Sequence, residues 1–363
     1  MHKAIPDYRV LFVTKTSRTA APYLDPSVRY RCFHPAECLV SRGILADVVV
    51  QERLEKAFLD SYDAFVFHRP DVGEARLEMF VELAKTRGKV IVADYDDLIF
   101  VPEFATQSSI LLNGHATESQ IVKIFKRNYK GFRLFDAFTV STEPLAEQVR
   151  KLNPAAEVVV VPNGLSCSLK SVYPVRVSLD GRLAMKKKVF SYLSGTASHV
   201  PDLACVADVM AEFLAAHRDA RFSIAGPIEL PDVLKYSPGV VRQPYREFAE
   251  FFASAASFYA NIAPLAPGNV FNGCKSGLKF FESGIWGVPT IASPIADFRR
   301  FADSPGLALA ETPEEWRAAL ERILDEGEYR RMVSGLREYC LEHCMADEPA
   351  GRLLAFLQRK VRA

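Results

Sequence analysis

Residues 269–289 read NVFNGCKSGLKFFESGIWGVP. Asn272-Gly273 is turn and cap chemistry, Lys275–Ser283 has helical spacing, and Pro289–Ala292 is a short apolar strand. A helix starting in such a turn leaves N–H groups unpaired at its first turn. Those groups and the positive dipole end favour a phosphate. Lys275 and Lys279, four apart, share a helix face near that end, where either can neutralise a diphosphate. Glu282 falls on roughly the same face and can accept hydrogen bonds from two adjacent sugar hydroxyls. A surface helix with Lys–Glu salt pairs explains the same residues equally well, so the surroundings must decide.

Outward from this stretch, short apolar runs alternate with longer amphipathic ones, the pattern of βα units on a parallel sheet. Toward the N-terminus of the stretch lie VFSYL (189–193), RFSIA (221–225) and ASFYANI (256–262), with helices at 202–217 and 245–255. Helices at 312–324, 329–343 and 350–361 close the chain. A similar series fills the first half: YRVLFVT (8–14), ADVVV (46–50), AFVF (64–67), KVIVA (89–93), AFTV (137–140) and EVVVV (157–161), with helices at 35–42, 74–85, 118–133 and 144–152. Between the halves, Ser166–Lys188 has no clear period and contains Lys186-Lys187-Lys188. The expected architecture is therefore α/β, two Rossmann-like doubly wound domains facing across a cleft. Residues 1–165 form the first, 166–188 the connection, 189–345 the second, and 346–363 a final helix that can pack back on the first. Ligands of such sheets bind beyond the carboxyl ends of the strands.

Composition narrows the function classes. With 363 residues, 49% hydrophobic and 25% charged, the chain has material for two cores. Forty-five basic against 44 acidic residues give a net charge of +1, so nothing marks nucleic acid as a partner. No apolar run approaches a membrane span, which leaves peripheral contact as the only membrane association expected. Seven scattered cysteines and no secretion signal point to reduced thiols in the cytoplasm, with any membrane contact at its inner face.

The first half has its own candidates at strand ends. Asp94, Asp96 and Asp97 follow KVIVA; three carboxylates so close repel, so one is expected to carry a raised pKa or a cationic partner. Capping of the following turn is the competing explanation. His68 and Arg69 follow AFVF, and Arg29 and Arg31 follow the first strand, where paired arginines suit an anionic group or surface salt bridges. In the second half, the loop Ser194-Gly195-Thr196-Ala197-Ser198-His199 lets backbone N–H groups approach phosphate oxygens, with Thr196, Ser198 and His199 as further donors. Arg242 is a weaker candidate beside a nucleotide base.

Taken together these motifs resemble the GT-B glycosyltransferases, retaining glycosyltransferase family 4 in particular. Glu282 followed by Gly287-Val288-Pro289 is similar to the family's E-x4-G-x-P. Pro162-Asn163-Gly164 is similar to the P-N-G turn ending its N-terminal domain, and Phe135–Thr142 to its (A)D-x-(V/F)-x-x-S strand and loop. The order holds from about residue 8 to residue 300. Cys274 stands where the family's E-x7-E pair has its first Glu, and the loop 194–199 lacks the usual Arg and Lys. Both features resemble a divergent polysaccharide-assembly branch carrying S-G-T-x-S-H.

The resemblance implies a hexosyl- or deoxyhexosyltransferase that uses a nucleotide-diphosphate sugar, with retention and without a metal. The nucleotide sugar is a substrate, and no cofactor is implied. Glu282 would hold the ribose. Gly195, Gly273, Lys275 and Lys279 would meet the diphosphate. Asp96, in the place of a family His, would act on the acceptor or on the donor carbon, with Asp94, Asp97 and His68 beside it. Arg29, Arg31 and Arg69 would line the acceptor side, for a glycan or lipid-linked glycan. The alternative is a non-catalytic GT-B-like subunit that binds a partner transferase or glycan.

Overall fold

The computed structural model describes residues 8–73, 75–112, 114, 116–168, 178–194, 200–244 and 246–362. Among these residues, the apolar runs form two six-stranded sheets in which every strand pair is parallel. The first lobe contains β1 (Arg9–Thr14), β2 (Leu45–Val50), β3 (Ala64–His68), β4 (Val90–Tyr95), β5 (Ala137–Val140) and β6 (Glu157–Val160), in the order β2-β1-β3-β4-β5-β6. The second contains β7 (Lys188–Leu193), β8 (Ala220–Ala225), β9 (Val240–Gln243), β10 (Ala260–Ala263), β11 (Thr290–Ala292) and β12 (Leu307–Leu309), in the order β12-β11-β10-β7-β8-β9. Crossover helices cover both faces, so both faces of a strand are apolar. On β1, Leu11 and Val13 join one core layer with Phe65, Phe67 and Phe138, while Val10 and Phe12 join the opposite layer with Val66 and Val92.

The helices that matter for the site are α1 (His34–Ser41), α2 (Ala75–Thr86), α3 (Glu118–Phe132), α4 (Glu143–Leu152), α5 (Ala207–Ala216), α6 (Leu278–Gly284), α7 (Pro313–Arg322) and α8 (Asp347–Arg362). A capping box of Thr117 and Gln120 starts α3. Helical backbone begins before α1, at Pro26, with Asp25 accepting from the Ser27 amide as its cap. The turn Arg29–Phe33 is widened to a π-helix. It lies next to Pro35, whose ring would meet the carbonyl of residue 31 in a regular helix.

Three helical readings need correction. Lys275–Ser283 is not one helix: Val270–Gly273 forms a single turn capped by Asn269, and α6 starts only after Gly277. Lys275 therefore precedes α6 instead of sharing a face with Lys279. The stretch 329–343 divides at Gly335, whose φ of +73° breaks the helix. The run 202–217 is likewise two helices, Val200–Ala204 and α5.

Chain crossings join the lobes. A short helix, Leu179–Leu183, packs on the second lobe, and its buried Arg182 donates to the carbonyls of Phe258 and Trp286. Leu165 lies parallel to Met345, its N–H donating to the Cys344 carbonyl and its carbonyl accepting from Ala346. A Cβ at Gly164 would come within 2.6 Å of the Ala346 nitrogen, so the Pro162-Asn163-Gly164 turn admits no side chain there. Beyond this crossing, α8 returns to the first lobe and buries Leu353, Phe356 and Leu357 with Val10, Phe12 and Leu39.

Candidate functional site

The carboxyl ends of the central strands of both sheets meet at one cavity of about 540 Å³. The first lobe contributes Asp25, Ser27, Arg29, Tyr30, Arg69, Asp96 and Asp97; the second contributes Leu193, Ser194, Gly226, Arg246, Lys275, Lys279 and Glu282. Size and placement suit a small-molecule site at the switch points of two parallel sheets.

The acidic wall is built from the end of β4 and the turn after it. Burial pulls the Asp96 carboxyl upward, but Arg69 and His68 outweigh it and hold the group well below the usual carboxylate range. Arg69 Nε donates to Asp96 Oδ1 and Arg69 Nη2 to Asp97 Oδ2, each at 2.7 Å. Arg69 is the one described non-glycine residue at positive φ, 50°, a strained conformation that aims its guanidinium into the cleft. Asp97 moves the other way: burial, with the neighbouring Asp96 charge, raises it against the pull of Arg69 and Lys275. The expectation of one raised pKa in this cluster thus falls on Asp97.

His68 is 1% exposed and lies behind this wall, so it cannot touch a substrate. Its Nδ1 is 2.8 Å from Thr14 Oγ1 and its Nε2 2.9 Å from Ser27 Oγ, which in turn donates to Asp96 Oδ2. The pattern assigns the proton to Nε2, and the chain Thr14–His68–Ser27 points at Asp96. His68 is thereby corrected from a reacting group to a positioning one. Asp94 is corrected too: it is 2% exposed inside β4, where Arg31 and Thr139 bind it. Arg31 also donates to the Val161 carbonyl and to Asn163, so it braces the lobe junction and not the acceptor side. Arg29 does line the cavity, but its guanidinium sits 3.4 Å over the Phe248 ring of the other lobe.

On the opposite wall Lys279 Nζ donates to the Leu193 carbonyl at the end of β7. Burial, helped by the Lys275 charge, lowers its pKa to about 8. Lys275 and Arg246 also line this wall. Glu282 Oε1 accepts from Tyr30 Oη at 2.6 Å, a bond from lobe to lobe.

The Gly273 expectation is corrected. Val270 N–H donates to Gln107 Oε1, Phe271 and Asn272 N–H to Asn269 Oδ1, and Gly273 N–H to the Asn269 carbonyl. Every amide of that turn already has a protein acceptor. Cys274 is 2% exposed and packs in the core layer of the first lobe, where burial raises its thiol to about 12. The expected phosphate loop, including Gly195, Thr196, Ser198 and His199, lies outside the described residues. Arg242 binds the carbonyls of Ile228 and Gly226 behind the cavity.

Sequence reasoning missed Tyr30, Ser27, Asp25 and Arg246. The first three had a signal, since Asp25-Pro26-Ser27 is a helix start; Arg246 had none. Among the described residues, the one group of His, Cys, Asp or Glu side chains gathered as tightly as metal ligands is Cys38, Cys167 and Asp347, away from this cavity.

No protein-family model matches the sequence, and no curated protein does. Solved structures match throughout. Sucrose-phosphate synthase from Thermosynechococcus elongatus is 12% identical with a TM-score of 0.64, over 97% of this chain and 98% of that one. Anabaena Alr3699/HepE, in complex with UDP and glucose, is 12% identical at 0.61, over 97% and 100%. The catalytic domain of starch synthase IV from Arabidopsis thaliana, bound to ADP and acarbose, is 12% identical at 0.64, over 98% and 99%. The fold is therefore the two-domain GT-B fold of glycosyltransferases. No described helix is long and apolar enough to cross a membrane.

Proposed function

We propose that the chain is a glycosyltransferase that moves a sugar from a nucleoside-diphosphate donor to a glycan or lipid-linked glycan. The observation that carries this reading is that Lys275, Lys279 and Arg246 from the second lobe and Asp96 and Asp97 from the first line one cavity. The cationic wall suits the leaving diphosphate, and Glu282 beside it suits the ribose hydroxyls. The solved UDP and ADP complexes of the same fold support a donor of this class.

In this reading the bond between the anomeric carbon and the diphosphate oxygen breaks, and the departing charge is neutralised by the lysines. Asp96, held ionised, faces the positive charge that develops on the carbon. The acceptor oxygen forms the new bond and loses its proton to Asp97, the carboxylate with the higher pKa. Attack on the face the diphosphate leaves gives retention, as the resemblance to family 4 implies. Ile99, Ile121 and Phe125 line the acceptor side, and Ile110 and Ile124, 47% and 41% exposed, continue this surface to the mouth. That wall favours an acceptor with an apolar carrier.

Calorimetric titration with UDP, ADP and GDP tests the reading. At least one should bind, and Lys279→Met and Glu282→Ala should each weaken it about tenfold or more. Unchanged binding in both variants would overturn the donor assignment. The satisfied amides of residues 270–273 favour the second reading, a non-catalytic subunit. Release of nucleoside diphosphate from a nucleotide sugar by the isolated chain separates the two.

A further inference from the structure

A second constellation lies away from the cavity, where the first lobe meets the segment that leaves it. One face of the helical run 29–41 lies along residues 161–168. Arg31 donates to the Val161 carbonyl and His34 Nδ1 is 2.9 Å from the Gly164 carbonyl. Ser166 Oγ and the Ser168 amide both donate to the Glu37 carboxylate. The seam ends with Cys38 Sγ 2.7 Å from Cys167 Sγ, two cysteines 129 positions apart in sequence.

Two thiols so close invite either a metal or a bond to each other. A tetrahedral zinc at about 2.3 Å from each sulfur holds the pair about 3.8 Å apart, farther than they stand here. The third nearby ligand atom belongs to Asp347, whose carboxylate is already paired with Arg42 at 3.0 Å. Geometry and charge therefore favour the covalent outcome. No other described cysteines offer it between distant segments: Cys32 and Cys274 are buried in opposite core layers of the first lobe, Cys340 and Cys344 lie one helical turn apart, and Cys205 is exposed and remote in the second lobe.

We propose that Cys38 and Cys167 are a reversible disulfide site that joins α1 to the interlobe segment under oxidising conditions. Cys167 is half-buried and Cys38 is fully buried, so Cys167 meets the oxidant first. Its thiolate attacks a low-molecular-weight disulfide, forming a mixed disulfide and releasing one thiol. The Cys38 sulfur, deprotonated as it reacts, attacks Cys167 and displaces the second thiol. In sum, one small disulfide is reduced to two thiols, and two protein thiols give up two protons and two electrons to become one disulfide. The crosslink covalently closes a seam that hydrogen bonds otherwise hold, at the junction between lobes.

The test is independent of sugar transfer. The reduced protein is incubated with oxidised glutathione, free thiols are alkylated, and unreduced peptides are mapped by mass. The expected result is a peptide pair joined through Cys38 and Cys167, lighter by two hydrogen atoms and separated by dithiothreitol. Oxidised wild type should melt several degrees higher than reduced, because the bond closes a long loop. Cys167→Ser should lose both effects; Cys38→Ser repeats the test from the buried side. Recovery of alkylated Cys38 and Cys167 alongside glutathione on Cys205 would overturn the proposal. So would stoichiometric zinc that protects both thiols and is lost in Cys167→Ser.

Discussion

Asp96 and Asp97 are neighbours in sequence with opposite electrostatic fates. Asp96 receives Arg69, Ser27 and the His68 field, whereas Asp97 has burial and the Asp96 charge against it. A base must be ionised to act, so the rate of transfer should rise with pH through an apparent pKa raised from the usual aspartate value by burial and the Asp96 charge, and Asp97→Asn should remove that limb. Asp96→Asn should instead lower kcat at all pH values by about 100-fold or more, with nucleoside-diphosphate affinity retained. The alkaline limb belongs to Lys279. Its ammonium loses its proton near pH 8, so diphosphate affinity should fall as pH rises from 7 to 9. Lys279→Arg, which stays charged, should flatten that fall in calorimetric titrations. The sequence placed Asp96, Asp97, Lys279 and Glu282 at the ends of strands and helices, and these four do reach the cavity. The resemblance singled out Asp96, but the residues alone kept Asp94 in the same cluster, because identical side chains two positions apart differ only in depth: Asp94 lies inside β4 and Asp96 just past its end.

At the scale of elements, that depth has a measurable consequence. Asp94 and Arg31 are 2% and 3% exposed and paired through two hydrogen bonds, so truncating one leaves the other charge buried and alone. Asp94→Ala should lower stability by about 3–5 kcal/mol in denaturant titration, far more than Asp96→Asn. The turn after β8 gives a second case. Gly226 has φ of +105°, and a Cβ there would lie 2.1 Å from the Ser194 carbonyl. Gly226→Ala should displace the end of β7 and weaken nucleoside-diphosphate binding about tenfold, read by calorimetry beside an unchanged far-UV spectrum. The strands were legible because parallel pairing buries both faces and leaves unbroken apolar runs. The exceptions have physical causes. The edge strand β9 carries Arg242 and Gln243 among its four residues, so no apolar run marks it, and the edge strand β12 contributes only Leu307–Leu309. The break before α6 comes from a partner distant in sequence: Asp297 Oδ2 takes the Gly277 amide and the Asp297 N–H donates to the Lys275 carbonyl, and no local pattern reports such a partner.

For the whole molecule, chain order and structural membership part company at α8. The first lobe's outer layer is incomplete until residues 353–357 return from the end of the chain and cover Val10, Phe12 and Leu39. The sequence allowed this return because Ala350–Val361 is amphipathic, but periodicity names an apolar face without naming what it covers. The crossing of Leu165 with Met345, and beyond it Arg352 donating to the Val160 carbonyl and Lys360 paired with Glu157, fix the direction. Lobe-to-lobe contacts then set the cleft: Tyr30 to Glu282, Thr142 Oγ1 to the Cys274 carbonyl at 2.8 Å, and Asn269 Nδ2 to the Gln107 carbonyl at 3.1 Å. Phe356 is 0% exposed in the shared layer, so Phe356→Ala should cost about 3–5 kcal/mol. That loss should appear in the first lobe although residue 356 follows the second. Hydrogen exchange should therefore quicken in Arg9–Thr14 and His34–Ser41 while Lys188–Leu193 and Ala220–Ala225 keep their protection. Equal loss in both sheets would mean that the lobes unfold as one unit, with the interlobe contacts strong enough to transmit the defect. Loss confined to the second lobe would contradict the placement of α8.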